Sequence, residues 1–362
     1  MLCQLAGTRV FIRERKKRKE LYMSRKAYGI DFGTSMIKIY RKGQGILLDE
    51  KNVIAIADRK RVIAVGNEAY EMFEKAPENI YVSYPIKSGV VADIDNMQTL
   101  LDTFIGQLNA KQLFGGRDFY VAVPSDITEV QKRAFYDLIA NSNAKAKHIW
   151  IVEKPIADAM GAGLDVTTAQ GVMVVDIGAE TTEISILSLG GIVLSKLIPV
   201  GGNKLDETIK LTVKKKYGLV IGDKTAEGIK KQLASALPIQ TEAMKVYGRD
   251  VVSGLPAEME VDSDMVYDSI IEHLTSVIDA MKVILERTPP EISADIIDAG
   301  IYITGGSSQI LHLDGLISQE TDLKVNLVAD PENSVVNGIG KIMEEPSLSE
   351  LAFSLRQANY TA

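Results

Sequence analysis

The sequence contains little cysteine and histidine and no long apolar run, and these shortages exclude several classes of protein. Its 362 residues include a single cysteine, Cys3, so no disulfide can close within the chain. The three histidines are far apart in sequence, so a structural zinc site is not expected. No apolar run approaches the roughly 20 residues that a membrane-spanning helix needs, and the first residues lack the apolar stretch of a signal peptide. We therefore expect a cytoplasmic protein.

Positive charge is outweighed by negative charge outside the first residues. Residues 1–27 contain nine Lys or Arg against two Glu, and because the whole chain has a net charge of −7, this +7 arm leaves −14 on the remainder. A body this acidic argues against nucleic acid as a partner, since phosphate neutralisation needs a basic face. The arm itself has three interpretations: a contact with a membrane surface or another anionic partner, a solvated tail, or an addition ahead of a start at Met23.

Length and hydropathy patterning indicate an α/β protein with more than one domain. Hydrophobic residues make up 46% of the chain, enough for a large core, and the length suggests two or more domains. Short β-rich runs alternate with segments of helical period. The clearest predicted strands are residues 119–123, 149–152, 172–176 and 301–304. The clearest predicted helices are residues 97–108 and 266–285, the second ended by Thr288-Pro289-Pro290.

One motif occurs twice. Residues 29–35 read Gly-Ile-Asp-Phe-Gly-Thr-Ser, and residues 175–181 read Val-Asp-Ile-Gly-Ala-Glu-Thr. In each, an apolar strand ends in an Asp two residues before a Gly, and a second β-like run follows. The two aspartates, Asp31 and Asp176, are 145 residues apart. We infer a duplicated core with one β-hairpin in each lobe and the two turns facing across a cleft.

The turns of these hairpins suit phosphate groups. A Gly lets the backbone approach a bound group closely, and successive N–H groups form a concavity for anions. Asp31 and Asp176 would then hold Mg²⁺ through its waters, and Lys38 would add a positive charge beside the phosphates. A third glycine turn, at residues 304–308, precedes a helical pattern from Gln309 and is either a plain strand-to-helix turn or also a platform for a nucleoside. The chain has neither a P-loop nor a Rossmann fingerprint.

Three motifs resemble those of the actin, heat-shock chaperone and sugar kinase superfamily. Residues 31–35 and 176–183 look like its two phosphate loops, and residues 303–307 look like its adenosine loop. Over about residues 28–345 the chain is similar to the MreB family of bacterial actins. Further stretches that carry this similarity are residues 65–69, 188–193, 221–227, 248–250, 253–256, 288–291 and 294–297.

The resemblance implies an actin-like duplicated ATPase fold, with two lobes that each contain a mixed β-sheet flanked by helices, and four subdomains around a nucleotide cleft. It also implies ATP and Mg²⁺ as cofactors, assembly of the chain with itself into filaments, and a peripheral position on the inner face of the cytoplasmic membrane. There the filaments would act with the cell-wall elongation machinery and direct cell shape. The implied subdomains are IA at residues 28–54, 97–163 and 341–350, IB at 55–96, IIA at 164–204 and 275–340, and IIB at 205–274, between the basic extension at 1–27 and a tail at 351–362.

The resemblance also assigns roles to individual residues. Phosphate contacts would come from Gly33, Thr34, Ser35, Met36, Gly178, Ala179, Glu180 and Thr181. The base and ribose would be lined by Glu227, Gly228, Ile229 and Lys230, and the adenosine pocket would be closed by Gly305, Gly306, Ser307 and Ser308. Leu113 and Phe114 match the membrane-inserting loop of the family, and the alternative is an apolar contact that seals the preceding helix.

Two sites near the γ-phosphate depart from the family pattern. Ala179 and Glu180 replace glycines of the second phosphate loop, and the carboxylate would repel a γ-phosphate unless it turns away or is paired. Lys154 stands where the family has the Glu that positions the attacking water, and a protonated Lys cannot act as a general base at neutral pH. We expect Glu180 to face Lys154 in a catalytic centre with Asp31 and Asp176. We also expect retained nucleotide binding, with slow or absent hydrolysis.

Two other functions on the same fold remain open at this point. A small-molecule kinase would need a sugar-binding insertion and a catalytic base, and the sequence signals neither. A chaperone ATPase would be expected to continue into a substrate-binding domain, whereas residues 346–362 form only a short tail. The stretches similar to MreB favour a filament-forming protein, a choice that the fold alone could not make.

Overall fold

The structure, a computed structural model, describes residues 26–58, 61–109 and 116–355. Leu113, Phe114 and residues 1–25 of the basic arm lie outside the described residues. The strands are β1 (Ala27–Phe32), β2 (Met36–Arg41), β3 (Gly45–Lys51), β4 (Ile54–Ala57), β5 (Arg61–Val65), β6 (Ile80–Ser83), β7 (Ile86–Lys87), β8 (Val90–Val91), β9 (Arg117–Val123), β10 (Ala146–Glu153), β11 (Val172–Ile177), β12 (Thr182–Ser188), β13 (Gly191–Ile198), β14 (Leu219–Val220), β15 (Ala243–Asp250), β16 (Pro256–Asp262), β17 (Ile301–Thr304), β18 (Val325–Leu327) and β19 (Ala352–Phe353). The α-helices are α1 (Gly66–Met72), α2 (Ile94–Asn109), α3 (Glu129–Asn141), α4 (Lys154–Gly161), α5 (Gly202–Tyr217), α6 (Asp223–Leu233), α7 (Ser263–Glu286), α8 (Pro290–Ala299), α9 (Leu313–Thr321) and α10 (Ser334–Glu344).

A six-stranded sheet in the order β19-β10-β9-β1-β2-β3 forms the centre of the first lobe. Strands β1, β2 and β3 are an antiparallel meander, whereas β9 is parallel to β1 and β10 is parallel to β9. All seven residues of β9 are buried, as is typical of a strand covered on both faces. On one face, Phe104 of α2 and Phe135 of α3 pack in one cluster with Ile30 of β1.

The second lobe repeats this arrangement in a five-stranded sheet, in the order β13-β12-β11-β17-β18. Strands β11, β12 and β13 form an antiparallel meander, β17 is parallel to β11, and β18 is parallel to β17. The order matches β3-β2-β1-β9-β10 of the first lobe. The duplication predicted from the two Asp-x-Gly hairpins is therefore confirmed.

Helices α4 and α10 lie between the two sheets. Ile156 of α4 and Ile339 of α10 belong to a buried cluster that also contains Val152 of the first sheet and Val174 of the second. This cluster joins the lobes through apolar contacts, which stabilise by roughly 25 cal/mol for each Å² of apolar surface removed from water. The predicted boundary between IIA and IA at residue 341 falls inside α10. The four-part division of the chain stays a prediction.

Most of the predicted elements are present. Strand β17 has the predicted bounds, and the two predicted helices lie within α2 and α7. Helix α7 ends at Glu286, just before the two prolines, as expected. The helix predicted from Gln309 begins only at Leu313, because a short 3₁₀ turn spans Gly306–Gln309 and His312 has a left-handed φ of 58° that no α-helix tolerates.

Two small sheets lie outside the lobe centres, β5-β4-β6 near α1 and β14-β15-β16 near α6. Strands β7 and β8 form a separate two-stranded hairpin. Among the helices of the described residues, none combines the length and the apolar character that crossing a bilayer requires.

Candidate functional site

The turns of the two repeated hairpins open into one cleft between the lobes. Its volume is about 980 Å³, near the upper end of the roughly 300–1,000 Å³ that is usual for ligand sites. The predicted residues that line it are Asp31, Gly33, Thr34, Ser35, Met36, Lys38, Lys154, Asp176, Gly178, Ala179, Thr181, Glu227, Lys230, Gly305, Gly306 and Ser307. Glu180, Gly228, Ile229 and Ser308 do not line it.

The first turn, between β1 and β2, is held by the residues that follow β3. A Cβ at Gly33 would lie 2.7 Å from the carbonyl oxygen of Met36, so the tight turn requires glycine there. The Asn52 side chain donates a hydrogen bond of 2.8 Å to the Gly33 carbonyl, and its backbone N–H donates one of 2.9 Å to the Ser35 carbonyl. Lys51 Nζ donates to Ser35 Oγ at 3.3 Å. The carbonyl groups of Gly33 and Ser35 therefore have their hydrogen-bond partner, Asn52, behind the turn.

The second turn, between β11 and β12, is bound to α5 and to the third glycine turn. The Gly178 carbonyl accepts hydrogen bonds from the Gly202 N–H at 3.0 Å and from Ser307 Oγ at 2.9 Å. The Ala179 carbonyl accepts one of 2.7 Å from the Asn203 N–H. These bonds hold the N-terminus of α5 beside the second turn, where the helix dipole favours an anion.

The third glycine turn passes directly over Asp176. Gly305 has a φ of 80°, and a Cβ there would lie 2.3 Å from Asp176 Oδ1 and 2.5 Å from the Ile177 carbonyl oxygen. Ser308, two per cent exposed, donates its hydroxyl to the Gly305 carbonyl at 2.7 Å. Ser308 therefore braces the turn from inside, and its predicted place in the adenosine pocket is not what the structure shows.

Helix α6 forms the wall predicted to line the base and ribose, but only one of its faces meets the cleft. Glu227 and Lys230 line the cleft, whereas Ile229 is fully buried in the core of the second lobe. A helix turns by about 100° for each residue, so neighbours in sequence point in different directions. The prediction that Ile229 lines the base is therefore wrong. Lys230 Nζ bonds Asp206 Oδ2 at 2.7 Å, which joins α6 to α5.

Lys154, the first residue of α4, forms an ion pair with Asp176. Its Nζ lies 2.6 Å from Asp176 Oδ2, and the two side chains are 21% and 11% exposed. Burial alone would lower the pKa of Lys154, but the carboxylates of Asp176, Asp31 and Glu183 outweigh it and raise that pKa above its usual 10.5. Lys154 is therefore a permanent cation at the centre of the cleft.

The prediction that Glu180 faces Lys154 is wrong. Glu180 Oε2 accepts a hydrogen bond of 2.5 Å from the backbone N–H of Ser88, in the turn between β7 and β8. Because Lys154 bonds Asp176 instead, the two substitutions are not partners. The Glu180 carboxylate was expected to repel a γ-phosphate unless it turned away or was paired. The hydrogen bond from the Ser88 N–H meets this condition, because it holds the Glu180 carboxylate against the hairpin of β7 and β8.

Two buried acids near Lys154 were not predicted from the sequence. Glu183, opposite Asp176 in the hairpin register, accepts from the Ser125 N–H at 2.8 Å and from Ser125 Oγ at 2.6 Å. Burial raises its pKa, while Lys154 and the Ser125 bonds act against that rise. The hairpin register is the signal that could have found it, since Glu183 follows Asp176 by the same seven residues that separate Lys38 from Asp31.

Asp158 is the second of these acids, one turn of α4 after Lys154. It accepts a hydrogen bond from Thr304 Oγ1 at 2.5 Å and another from Ser334 Oγ. Burial and the nearby Asp176 carboxylate raise its pKa far above the usual range, against its hydroxyl donors and Lys154. The four-residue spacing from Lys154 on one helix is the signal that could have found it.

Lys38 lines the cleft, but its ammonium already has partners. Its Nζ donates to the Glu332 carbonyl at 2.5 Å and to Asn333 Oδ1 at 2.7 Å, in the loop before α10. Asp49 Oδ1 lies 3.9 Å away. The predicted contact of Lys38 with phosphate stays a prediction.

The two aspartates at the strand ends do not present the free carboxylates that were predicted for a hydrated magnesium ion. Asp176 is already neutralised by Lys154. Burial raises the pKa of Asp31, and Lys154 and Lys38 oppose that rise. Within residues 26–58, 61–109 and 116–355, no group of three or more His, Cys, Asp or Glu side chains is arranged to hold a metal ion. The residues therefore do not fit the predicted magnesium site.

Comparison with known proteins places this geometry in a family. Residues 25–350 match the family model described as MreB/Mbl protein. Among curated proteins, the cell shape-determining protein Mbl of Bacillus subtilis (strain 168) is 40% identical over 318 residues, which are 87% of this chain and 95% of that protein.

Solved structures agree with this match. The crystal structure of MreB5 of Spiroplasma citri bound to ADP superposes with a TM-score of 0.85 at 31% identity, covering 91% of this chain and 98% of that one. A MamK double helical filament superposes with a TM-score of 0.74 at 22% identity, covering 89% of this chain and 99% of that one, and this likeness concerns the fold alone. The predicted actin-like fold, with two lobes of mixed sheet flanked by helices, is confirmed.

Proposed function

This chain belongs to the MreB/Mbl family, and on that premise we propose that it binds ATP in the cleft and assembles into filaments that determine cell shape. The observation that carries the proposal is the convergence of three glycine turns on one cleft. Two of them are the repeated hairpin turns, and the third, at Gly305, is bonded to the second through Ser307. Backbone N–H groups converging in this way suit a nucleotide polyphosphate, and the similar MreB5 structure is bound to ADP.

We propose that hydrolysis of the bound nucleotide is slow or absent. The position of the expected general base holds Lys154, whose pKa is raised by the surrounding carboxylates, so it stays protonated and cannot accept a proton from water. Glu153, the preceding acid, does not line the cleft and lies instead near Lys132 and Glu129. A protein of this family with retained binding and little turnover would change assembly state mainly by exchanging nucleotide.

One exposed apolar patch supports self-association. The hairpin of β15 and β16 carries Tyr247, Val251, Val252 and Leu255 on its surface, and Val252 is 94% exposed. Clustered apolar side chains at the tip of a hairpin are a feature of interaction surfaces rather than of a free monomer. We propose that this tip contacts a second copy of the chain in the filament.

We also propose a peripheral position on the inner face of the cytoplasmic membrane, with the cell-wall elongation machinery as partner. The support is in the sequence: the basic arm of residues 1–27 would be attracted to anionic lipid, and the apolar pair Leu113 and Phe114 matches the family's membrane loop. The acidic remainder of the chain is the reason to expect no nucleic acid as a partner.

Electron microscopy of the protein with ATP on anionic lipid vesicles tests assembly, and calorimetric titration with ATP and ADP tests binding. We expect saturable nucleotide binding, filaments on the vesicles, and loss of filaments in Val252→Asp while nucleotide binding is kept. Val193→Asp, a change at a less exposed site on β13, is the matched control for added charge. A soluble monomer that phosphorylates a sugar would contradict the proposal, and so would a chain that binds no nucleotide.

A further inference from the structure

The cleft contains more acid than base before any nucleotide enters it. Three acids of its lining, Asp31, Asp176 and Glu183, lie around Lys154, and each of them interacts electrostatically with the Lys154 ammonium. A polyphosphate is itself strongly anionic, and Coulomb repulsion between charges is large where water is excluded. A cation must therefore stand between these carboxylates and a bound phosphate chain.

Lys154 has the position that such a cation needs. Asp31 and Asp176 end the two strands whose hairpin turns face the cleft, and Lys154 begins the helix that lies between the two sheets. Its Nζ is 2.6 Å from Asp176 Oδ2, and its side chain, 21% exposed, still reaches the cleft lining. An ammonium has three donors, so a bond to Asp176 leaves others for phosphate oxygens.

Five other lysines line the cleft, but among the described residues only the Lys154 ammonium forms an ion pair with Asp176. Lys51 bonds Ser35 Oγ at 3.3 Å, and Lys210 and Lys231 pair with Asp223 and Glu227. Lys38 is committed to the Glu332 carbonyl and Asn333, and Lys230 to Asp206 and the Gly202 carbonyl. The arrangement of Lys154 also explains why the aspartates do not fit a magnesium site, since its ammonium already neutralises one of the two carboxylates that such an ion would use.

We propose that the Lys154 ammonium is a built-in cation that bridges Asp176 to the phosphates, so that this protein binds ATP and ADP without a divalent metal. The inference rests on the proposed nucleotide binding. It makes Lys154 a positioning residue for nucleotide, in a place where a general base would otherwise stand.

The test is the affinity for ADP and for the non-hydrolysable analogue AMPPNP, measured by calorimetry in excess EDTA and again in MgCl₂. For the unmodified chain we expect the two dissociation constants to agree within about threefold. Lys154→Gln removes the charge, so its affinity in EDTA should fall by about tenfold or more and MgCl₂ should recover most of it. Lys154→Arg keeps a cation and should stay close to the unmodified chain in EDTA.

Lys282→Gln is the matched control, because it breaks an ion pair of similar length, 2.7 Å to Glu320, on the surface. It should bind nucleotide with the same small dependence on MgCl₂ as the unmodified chain. Binding by the unmodified chain only in MgCl₂ would overturn the inference and leave the proposed function standing. Absence of binding in both buffers would instead contradict the proposed function. Unchanged affinity of a folded Lys154→Gln in EDTA would also overturn the inference, and circular dichroism shows whether the variant is folded.

Discussion

A single turn of α4 carries both the cation of the cleft, Lys154, and Asp158, a buried acid with a raised pKa. Lys154 and Asp158 are four residues apart and therefore lie on one face of the helix. A cation in the first turn of a helix is disfavoured by the helix dipole, so Lys154 depends on the Asp176 carboxylate to stay there. Asp158 is buried beside the same carboxylate. The hydrogen bonds from Thr304 and Ser334 do not offset the rise in the pKa of Asp158 that burial and Asp176 cause.

Asp158→Asn should make stability less dependent on pH. Because its pKa is raised in the folded state, folded Asp158 keeps a proton that the unfolded carboxyl, with its usual pKa of 3.8, has lost. The free energy of unfolding therefore falls as pH rises between the two pKa values, by about 1.4 kcal/mol per pH unit. An amide does not ionise. Between about pH 5 and pH 7, the free energy of unfolding should therefore fall by up to about 3 kcal/mol more in the unmodified chain than in the variant. Urea denaturation at both pH values measures this difference.

The exposed carboxyl of Asp298 offers the control for that experiment. Asp298→Asn removes the same charge on α8 without touching the cleft, so its stability should follow the pH dependence of the unmodified chain. Equal pH slopes for Asp158→Asn and Asp298→Asn would show that Asp158 ionises normally in the folded protein.

Gly305→Ala should destabilise the protein, whereas Gly306→Ala should not. At Gly305 a Cβ meets Asp176 Oδ1 and the Ile177 carbonyl, and φ is 80°; at Gly306 the nearest atom is 3.7 Å away. We expect a loss of about 2 kcal/mol or more in the free energy of unfolding for the first and less than about 1 kcal/mol for the second. Denaturant titration of the two variants side by side measures both. Similar losses at the two positions would contradict the close approach of the third turn to Asp176.

At the scale of elements, the lobes depend on how closely α4 and α10 cross. A Cβ at Gly338 would lie 1.6 Å from the Ala157 carbonyl oxygen, and one at Gly161 would lie 1.7 Å from that of Ser334. Glycine at both positions lets the two backbones touch, which small side chains alone would not allow. Lys154, at the start of α4, and Glu332, in the loop before α10, both line the cleft.

Gly338→Ala should separate the two helices and cost about 3 kcal/mol or more in the free energy of unfolding, since backbone atoms cannot move aside as a flexible side chain can. Gly106→Ala is the control, because Gly106 is also helical but a Cβ there would meet no atom within 4 Å. That change should be neutral or stabilising by up to about 1 kcal/mol. Thermal unfolding of both variants checks the contrast, and a stable Gly338→Ala would mean that the crossing is looser than the structure shows.

At the scale of the whole molecule, polar contacts join α1 to α6, and both helices contribute residues to the cleft lining. Glu74, just after α1, accepts hydrogen bonds from the backbone N–H groups of Asp223 at 2.8 Å and Lys224 at 3.4 Å, at the start of α6. Tyr70 OH donates to Glu227 Oε2 at 3.1 Å. A carboxylate at a helix N-terminus is a favourable partner, so these bonds connect α1 and the residue after it to α6 across the cleft.

Glu74→Ala should therefore speed nucleotide release. Without the carboxylate the N-terminus of α6 loses its partner, and we expect the dissociation rate of a fluorescent ADP analogue to rise a few-fold, as is usual for exposed charged bonds. Glu71→Ala, an exposed acid on α1 that does not line the cleft, should leave the rate unchanged. Stopped-flow displacement measures both rates, and equal rates would mean that Glu74 does not hold the cleft closed.

Hairpins, turns and helix limits followed from local patterns because they depend on residues close together in the chain. The Asp-x-Gly motifs at Asp31 and Asp176 predicted two equivalent hairpins, since a glycine turn and alternating strands need only neighbours. The proline pair at Pro289 ended α7 for the same reason. Family motifs extended this to the three turns that face the cleft.

The partners of the charged residues were decided only by the tertiary structure. Lys154 was expected to meet Glu180, but it bonds Asp176, and Glu180 bonds Ser88 of the other lobe. Ile229 was expected at the nucleotide, but its position on α6 turns it into the core. Ion pairs and helix faces depend on which distant segments pack together, and the free energy of burying a charge selects whichever opposite charge that packing brings within reach.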